Sequence, residues 1–247
     1  MAVANESKVD LAVRLALSKL GEPGVPAPSE ANVQEWAGVS RITARAALAQ
    51  LESDGWITPT TPGKRRTVRD RRRWHWAMTT WETGQHHSAD ADAWAATVAE
   101  QGGEPTTEVS VSVVAADADI AAALEVTEGE AVVCRGRVRS INGEPHQLQA
   151  SYFPKWLTDD APIFLQPGDI SAPGGLLAHS GHPQAVIHDE VTARTPTDEE
   201  RQVLRMSPTE TLLVVKRTGK NADGRPVRFM VTRCAATTAC LSWELPA

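Results

Sequence analysis

Residues 40–57 read SRITARAALAQLESDGWI, and the fold of the first third of the chain turns on them. Ser40 is of the residue type that caps helix N-termini, because its side-chain oxygen can accept from a backbone N–H left over in the first turn. Ala44, Ala47 and Leu51 recur on one side of the helix that follows. Arg41 and Arg45, four apart, emerge together on another side, and Gly55 ends the helix. Working back from Ser40, Gly38 breaks a short helix that runs to about Ala37 behind a second cap, Ser29. The stretch GEPGVPAP (residues 21–28) interrupts any ladder with three prolines and two glycines. Before it, Val9, Ala12, Val13, Ala16, Leu17 and Leu20 recur at helical spacing over residues 5–20, with Ser7 and Asp10 placed as a capping pair. Working forward, WITPTTPGKRRTV (residues 56–68) holds two β-type runs about a Pro-Gly turn. Its tip carries Gly63, Lys64, Arg65 and Arg66. Helix, tight turn, capped helix and basic hairpin predict a winged helix-turn-helix over residues 1–70.

Charge agrees with that reading once it is divided. The chain of 247 residues carries 25 Lys+Arg against 31 Asp+Glu, a net charge of −6 that by itself argues against nucleic acid. Up to Arg73, however, 12 basic residues face 8 acidic ones, and the remainder holds 13 against 23. A basic end on an acidic body is expected when one domain meets phosphate and the other does not. Hydrophobic residues make up 41% of the chain, enough for two packed cores. No apolar run approaches the ~20 residues that span a bilayer, so no membrane partner is expected. The opening MAVANESKVD lacks the basic, apolar and small-residue order of a secretory signal, and a cytoplasmic location is expected. Three cysteines (Cys134, Cys234 and Cys240), widely spaced and without a CxxC, fit a reducing compartment.

The N-terminal segment resembles the GntR family of bacterial regulators. The residues that carry the likeness are Pro28-Ser29-Glu30, then Gly38-Val39-Ser40-Arg41-Ile42-Thr43-Ala44-Arg45-Ala46-Ala47-Leu48, then Leu51-Glu52-Ser53-Asp54-Gly55-Trp56-Ile57. They follow the family's PSER-type start, its VSRxTxRxAL recognition helix and its exit to the wing. The resemblance implies DNA contacts from Ser29, Ser40, Arg41, Thr43 and Arg45, and from Gly63, Lys64, Arg65 and Arg66 in the wing. Paired arginines at the start of a recognition helix suit guanine O6/N7 or phosphates. This chain departs from the pattern at Ala31, where the family carries a DNA-contacting arginine, and at Arg65, where it carries the second wing glycine.

Residues 71–89 read as a linker, basic and then aromatic. Trp74, Trp76 and Trp81 anchor it against one of the domains or offer a stacking surface for nucleic acid. His86-His87 is too isolated for a metal site. From residue 90 to 247 the expectation is a second domain of α+β class. A helix carries Trp94 and Val98, and TEVSVSVVAA alternates as a strand. AVVCRGRVRSI and PHQLQASYF flank an Asn142-Gly143 turn. A short helix covers Leu176 to His179, and Thr197-x-x-Glu200 caps another. TLLVVKRTG, PVRFMVTRC and ACLSWEL close the domain as three antiparallel strands.

This order resembles the UTRA ligand-sensing domain of HutC-type GntR regulators. It is carried by Gly143-Glu144-Pro145, Ser151-Tyr152-Phe153-Pro154, Gly174-Gly175-Leu176-Leu177, Asp189-Glu190 and Asp223-Gly224-Arg225-Pro226-Val227. The resemblance implies a chorismate-lyase-like fold, a small-molecule pocket between sheet and short helices, and homodimerisation. Arg137 and Arg139 flank Val138 and share one strand face. There they hold an anionic effector or pair with Glu190 or another acid. Gly174-Gly175, ahead of Leu176, is an anion site by geometry or a loop that needs flexibility. Relatives often carry Ser at Gly175, Glu at Gln149 and Tyr at Cys234, so this pocket binds a different effector or none. The expected function is a dimeric repressor on an inverted-repeat operator in double-stranded DNA, its binding modulated by a small-molecule effector in the second domain. The alternatives are a constitutive repressor whose second domain only dimerises, and, remotely, a lyase-like enzyme. No catalytic set, metal site or cofactor motif appears, so no enzyme activity and no cofactor are expected.

Overall fold

The computed structural model describes residues 6–60, 63–79, 93–170, 175–207 and 209–244. They fall into two compact units: Met1–Arg72 with Thr195–Glu210, and Arg73–Arg194 with Thr211–Ala247.

In the first unit three capped helices enclose one core. Helix α1 (Lys8–Leu17) starts where Ser7 accepts from the Asp10 amide. Helix α2 (Glu30–Ala37) has a full capping box, Ser29 with Asn32, and stops at Gly38, whose φ of 62° places it in the left-handed region that glycine enters at least cost. Helix α3 (Arg41–Ser53) starts where Ser40 accepts from the Thr43 amide. Their inward residues (Ala12, Ala16, Val33, Ala44, Ala47, Leu48 and Leu51) meet Ile57 in a single cluster. Alanine at four of those places lets the helix axes approach closely, and truncating Leu51 there would cost about 2–5 kcal/mol. After α3 the chain pairs with itself: Ile57 bridges Val68, Pro26 bridges Thr67, and both bridges are antiparallel.

The first unit also contains a segment that the sequence assigned to the second domain. Residues 195–210 carry helix α8 (Asp198–Val203), opened by a capping box between Thr197 and Glu200. Beyond it Ser207 donates to the Ser53 carbonyl at 2.8 Å, and Thr209 donates to the same oxygen. Those bonds satisfy a carbonyl at the C-terminus of α3 that the helix itself cannot pair.

The second unit is built on six antiparallel strands in the order β2-β3-β4-β7-β6-β5. These are β2 (Pro105–Ala115), β3 (Ala131–Ile141), β4 (Glu144–Pro154), β5 (Val186–Arg194), β6 (Leu212–Lys220) and β7 (Pro226–Ala235). The β3–β4 turn is the expected Asn-Gly type, with φ of 53° at Asn142 and 76° at Gly143. A separate two-stranded ribbon joins β1 (Trp74–Ala77) to β8 (Ala239–Ser242) in parallel. This corrects two expectations. Residues 74–77 form a strand instead of lying in a linker, and within ACLSWEL the residues Ala239–Ser242 run parallel beside β1 instead of following β7 as a third antiparallel strand.

Trp74 and Trp76 are buried in a cluster with Met78, Trp94, Val98, Ile141 and Val215, so neither offers an exposed stacking surface. Trp94 belongs to helix α4 (Ala93–Glu100) and stacks on Trp76 with ring centroids 6.0 Å apart. Trp81 and His86-His87 lie outside the described residues. A second cluster gathers Val133 and Phe153 from the sheet with Leu157, Phe164 and Leu177. Leu157 comes from α6 (Lys155–Asp160), Phe164 from a 3-10 turn at Pro162–Leu165, and Leu177 from α7 (Leu176–His179). On helix α5 (Ala118–Leu124), capped by Asp117, the inward residues are Ile120, Ala121 and Leu124. No described helix is long and apolar enough to cross a membrane.

Candidate nucleic-acid interface and ligand face

The nine residues expected to meet DNA divide by what each already holds. Ser29 and Ser40 spend their side chains on the caps of α2 and α3, and Thr43 shares its hydroxyl with Ser40 at 3.0 Å. Arg41, at the first position of α3, is bound through Nε to Glu30 of α2 at 2.7 Å. That hydrogen bond holds the Glu30 carboxyl below its ordinary range. The pair is exposed and so adds little to stability, but it fixes where the guanidinium stands. Arg45, one turn on, is exposed and makes no side-chain bond to another described residue. Gly63, Lys64 and Arg65 are exposed as well. Arg66 is different: it is half-buried and tied to Glu52 of α3 at 3.0 Å. Of the expected wing residues 64–66, only Arg66 is thus held by an acid of α3. Glu30 and Glu52, the acids that position these arginines, escaped the sequence reading, as did the 83% exposure of Ile42.

On the sheet, register decides which residues meet. Arg137 stands opposite Gln149, which stands opposite Thr232. In the adjacent row Arg139 faces Gln147, and Gln147 faces Cys234. Directly paired residues project to the same side of a sheet, so Arg137, Arg139, Gln149 and Cys234 share one face. Arg135, two residues back on β3, joins them there. It is fully buried and donates to the carbonyls of Phe164 (3.0 Å), Gln166 (2.7 Å) and Gly168 (2.6 Å), holding the end of the 3-10 turn. Arg137 is bound to Asp169 at 3.2 Å. The Arg139 guanidinium lies 4.9 Å over the Trp94 ring. Burial pushes the Cys234 thiol up to about 12, so it is a neutral, apolar-like group at neutral pH.

Glu190 is not part of this face. Its neighbour Asp189 is, because Asp189 pairs in register with Arg217 and takes it in two bonds of 2.6 Å. Glu190 projects to the opposite side, exposed, with His188 at 3.7 Å. The acid expected beside Arg137 is thus Asp169 from a loop. Gly175 caps α7, which is only four residues long, and Leu176 packs against the Phe153 cluster. Gly174 lies outside the described residues. No group of three or more His, Cys, Asp or Glu with metal-binding geometry occurs among the described residues.

The chain thus combines a unit of capped helices with a six-stranded antiparallel sheet that carries a row of arginines on one face. Residues 100–239 match the family model of the UTRA domain. The chain belongs to the UTRA domain family. It is similar to an uncharacterized HTH-type transcriptional regulator of Streptomyces coelicolor, 31% identical over 55% of this chain and 51% of that protein. The match thus spans about half the length of that relative. A second HTH-type regulator, from Rhizobium meliloti, is 26% identical over 99% of this chain and 96% of its own length. A crystal structure described as a GntR-family transcriptional regulator shares the fold, with a TM-score of 0.56, 24% identity, and 97% and 96% of the two chains covered.

Proposed function

We propose that this regulator is a homodimeric repressor that binds an inverted-repeat operator through a winged helix-turn-helix, and that a small anionic effector modulates the binding. In this reading α2 and α3 are the helix-turn-helix, and residues 56–68 are the wing. The observation that carries it is the start of α3, where the Ser40 cap aims Arg41 and Arg45 outward on one helix turn and Arg45 has no other described residue to bind. A recognition helix meets base edges with its N-terminal residues, and a twofold protein matches a twofold site. Lys64 and Arg65 supply phosphate contacts from the wing. Arg45→Ala weakens specific operator binding by about 1–3 kcal/mol. A gel shift in which that variant binds its operator as the wild type does defeats the proposal.

The effector site in this reading is the sheet face with Arg137, Arg139, Gln149 and Cys234, where Arg137 exchanges Asp169 for an anion. A second reading rests on a specific observation: Arg135, Arg137 and Arg217 on this face each already hold internal acceptors. On that reading the domain only dimerises. A thermal-shift screen of phosphorylated sugars and acidic metabolites separates the two, since an effector raises the melting temperature and a constitutive regulator shows no hit.

A further inference from the structure

Ile42 is 83% exposed, more than any other large apolar side chain among the described residues. It occupies the second position of α3, between Arg41 and Thr43, so it lies in the turn that the proposed function places against base edges. Nothing in the packing of the unit calls for it. Its helical neighbours at i+4 and i+7, Ala46 and Ala49, are exposed and too small to shield it. Isoleucine is also a poorer helix former than the alanines around it. An apolar side chain held in water in this position gains free energy only when a partner covers it.

The chemistry of the major groove leaves one apolar partner. Among the base-pair edges only thymine presents a methyl group, at C5; the groups that distinguish the other bases there are hydrogen-bond donors and acceptors. Isoleucine suits that contact because its branched Cβ leaves one dominant χ1 rotamer in a helix, so little freedom is lost on binding. Arg45, three residues on and facing the same way, suits a neighbouring guanine. We infer that Ile42 is a specificity-determining residue that packs against the C5-methyl of one thymine in each operator half-site, beside the base read by Arg45. This rests on the DNA-binding reading above and adds a base identity to it.

The test uses the full chain and duplexes enriched by it from a random-sequence pool. In the enriched site each thymine is replaced in turn by deoxyuridine, which removes the C5-methyl and nothing else. At one thymine per half-site the wild type loses about fourfold in affinity, the worth of one buried methyl-sized group. Ile42→Ala binds the thymine duplex more weakly by a similar factor and is indifferent to the same deoxyuridine. The position is exposed, so the variant folds, and circular dichroism verifies this. The inference is overturned if no thymine responds, or if Ile42→Ala responds as strongly as the wild type. If the wild type enriches no sequence at all, the DNA-binding reading itself falls, and Ile42 falls with it.

Discussion

Glu210 receives the guanidinium of Arg69 at 2.8 Å across a sequence separation of 141 residues, inside the three-helix unit. Both side chains are largely buried, at 7% and 12% exposure, and Glu210 also accepts from the Ser207 amide at 2.6 Å. Gly55 lies against the same carboxylate, since a Cβ there would stand 3.3 Å from its Oε1.

Removing one partner of a buried pair strands the other charge. Glu210→Ala is therefore expected to destabilise the first unit by about 3–5 kcal/mol. Urea titration followed by circular dichroism measures it, and a loss below 1 kcal/mol would show that water replaces the carboxylate.

Asp189 and Glu190 are adjacent acids with opposite fates. Asp189 holds Arg217, whose side chain is 1% exposed, and also accepts from the Trp243 indole at 3.0 Å. Asp189→Ala should cost about 3–5 kcal/mol, whereas Glu190→Ala on the exposed face should stay within about 0.5 kcal/mol of wild type. Parallel thermal melts decide it, and equal losses would refute the register.

His146 sits among Trp74 and Trp76, with ring centroids 6.5 and 5.6 Å away, and burial pushes its pKa down to about 4. The folded state thus keeps it neutral while the unfolded chain protonates near its ordinary value of 6.5. Stability from this group is full above about pH 6.5, falls as pH drops, and levels off below about 4, a total on the order of 3 kcal/mol. His146→Phe should remove up to one proton from the pH dependence of unfolding in that window. An unchanged slope would mean that the ring charges inside the fold.

Ser40 caps α3, and Ser40→Ala should cost about 1 kcal/mol of stability. Ser40→Asp keeps the cap and the favourable charge at a helix N-terminus, so it should melt like wild type. On the proposed function it binds operator DNA more weakly, because a carboxylate then faces phosphate. A variant that is stable yet binds normally would place Ser40 away from the duplex.

The parts of the fold that the sequence announced are those written in adjacent residues. Ser29 and Ser40 cap where they should because an N-cap needs only the next turn. Asn142-Gly143 makes its hairpin because two residues able to hold positive φ are enough. What stayed hidden depends on residues far apart in the chain. The parallel pairing of Trp74 with Ala239 has no local signal, and an alternating apolar run such as ACLS is compatible with either direction. The choice of Asp189 over Glu190 turns on strand parity, and a one-residue slip exchanges them. The bond from Arg66 to Glu52, fourteen residues earlier, has no local signal either. Arg135 reads as one more member of an alternating basic strand, since the three carbonyls it holds follow it by about thirty residues.

The bonds from Ser207 and Thr209 to the Ser53 carbonyl have a consequence for synthesis on the ribosome. Domains generally fold in the order in which they emerge, the N-terminal one first. Here the bonds to the Ser53 carbonyl at the end of α3 and the pairing of Arg69 cannot form until Glu210 has been translated, when most of the sheet strands are already made. A fragment cut after residue 72 loses Ser207, Thr209 and Glu210, and water must then take their place at the Ser53 carbonyl and at Arg69.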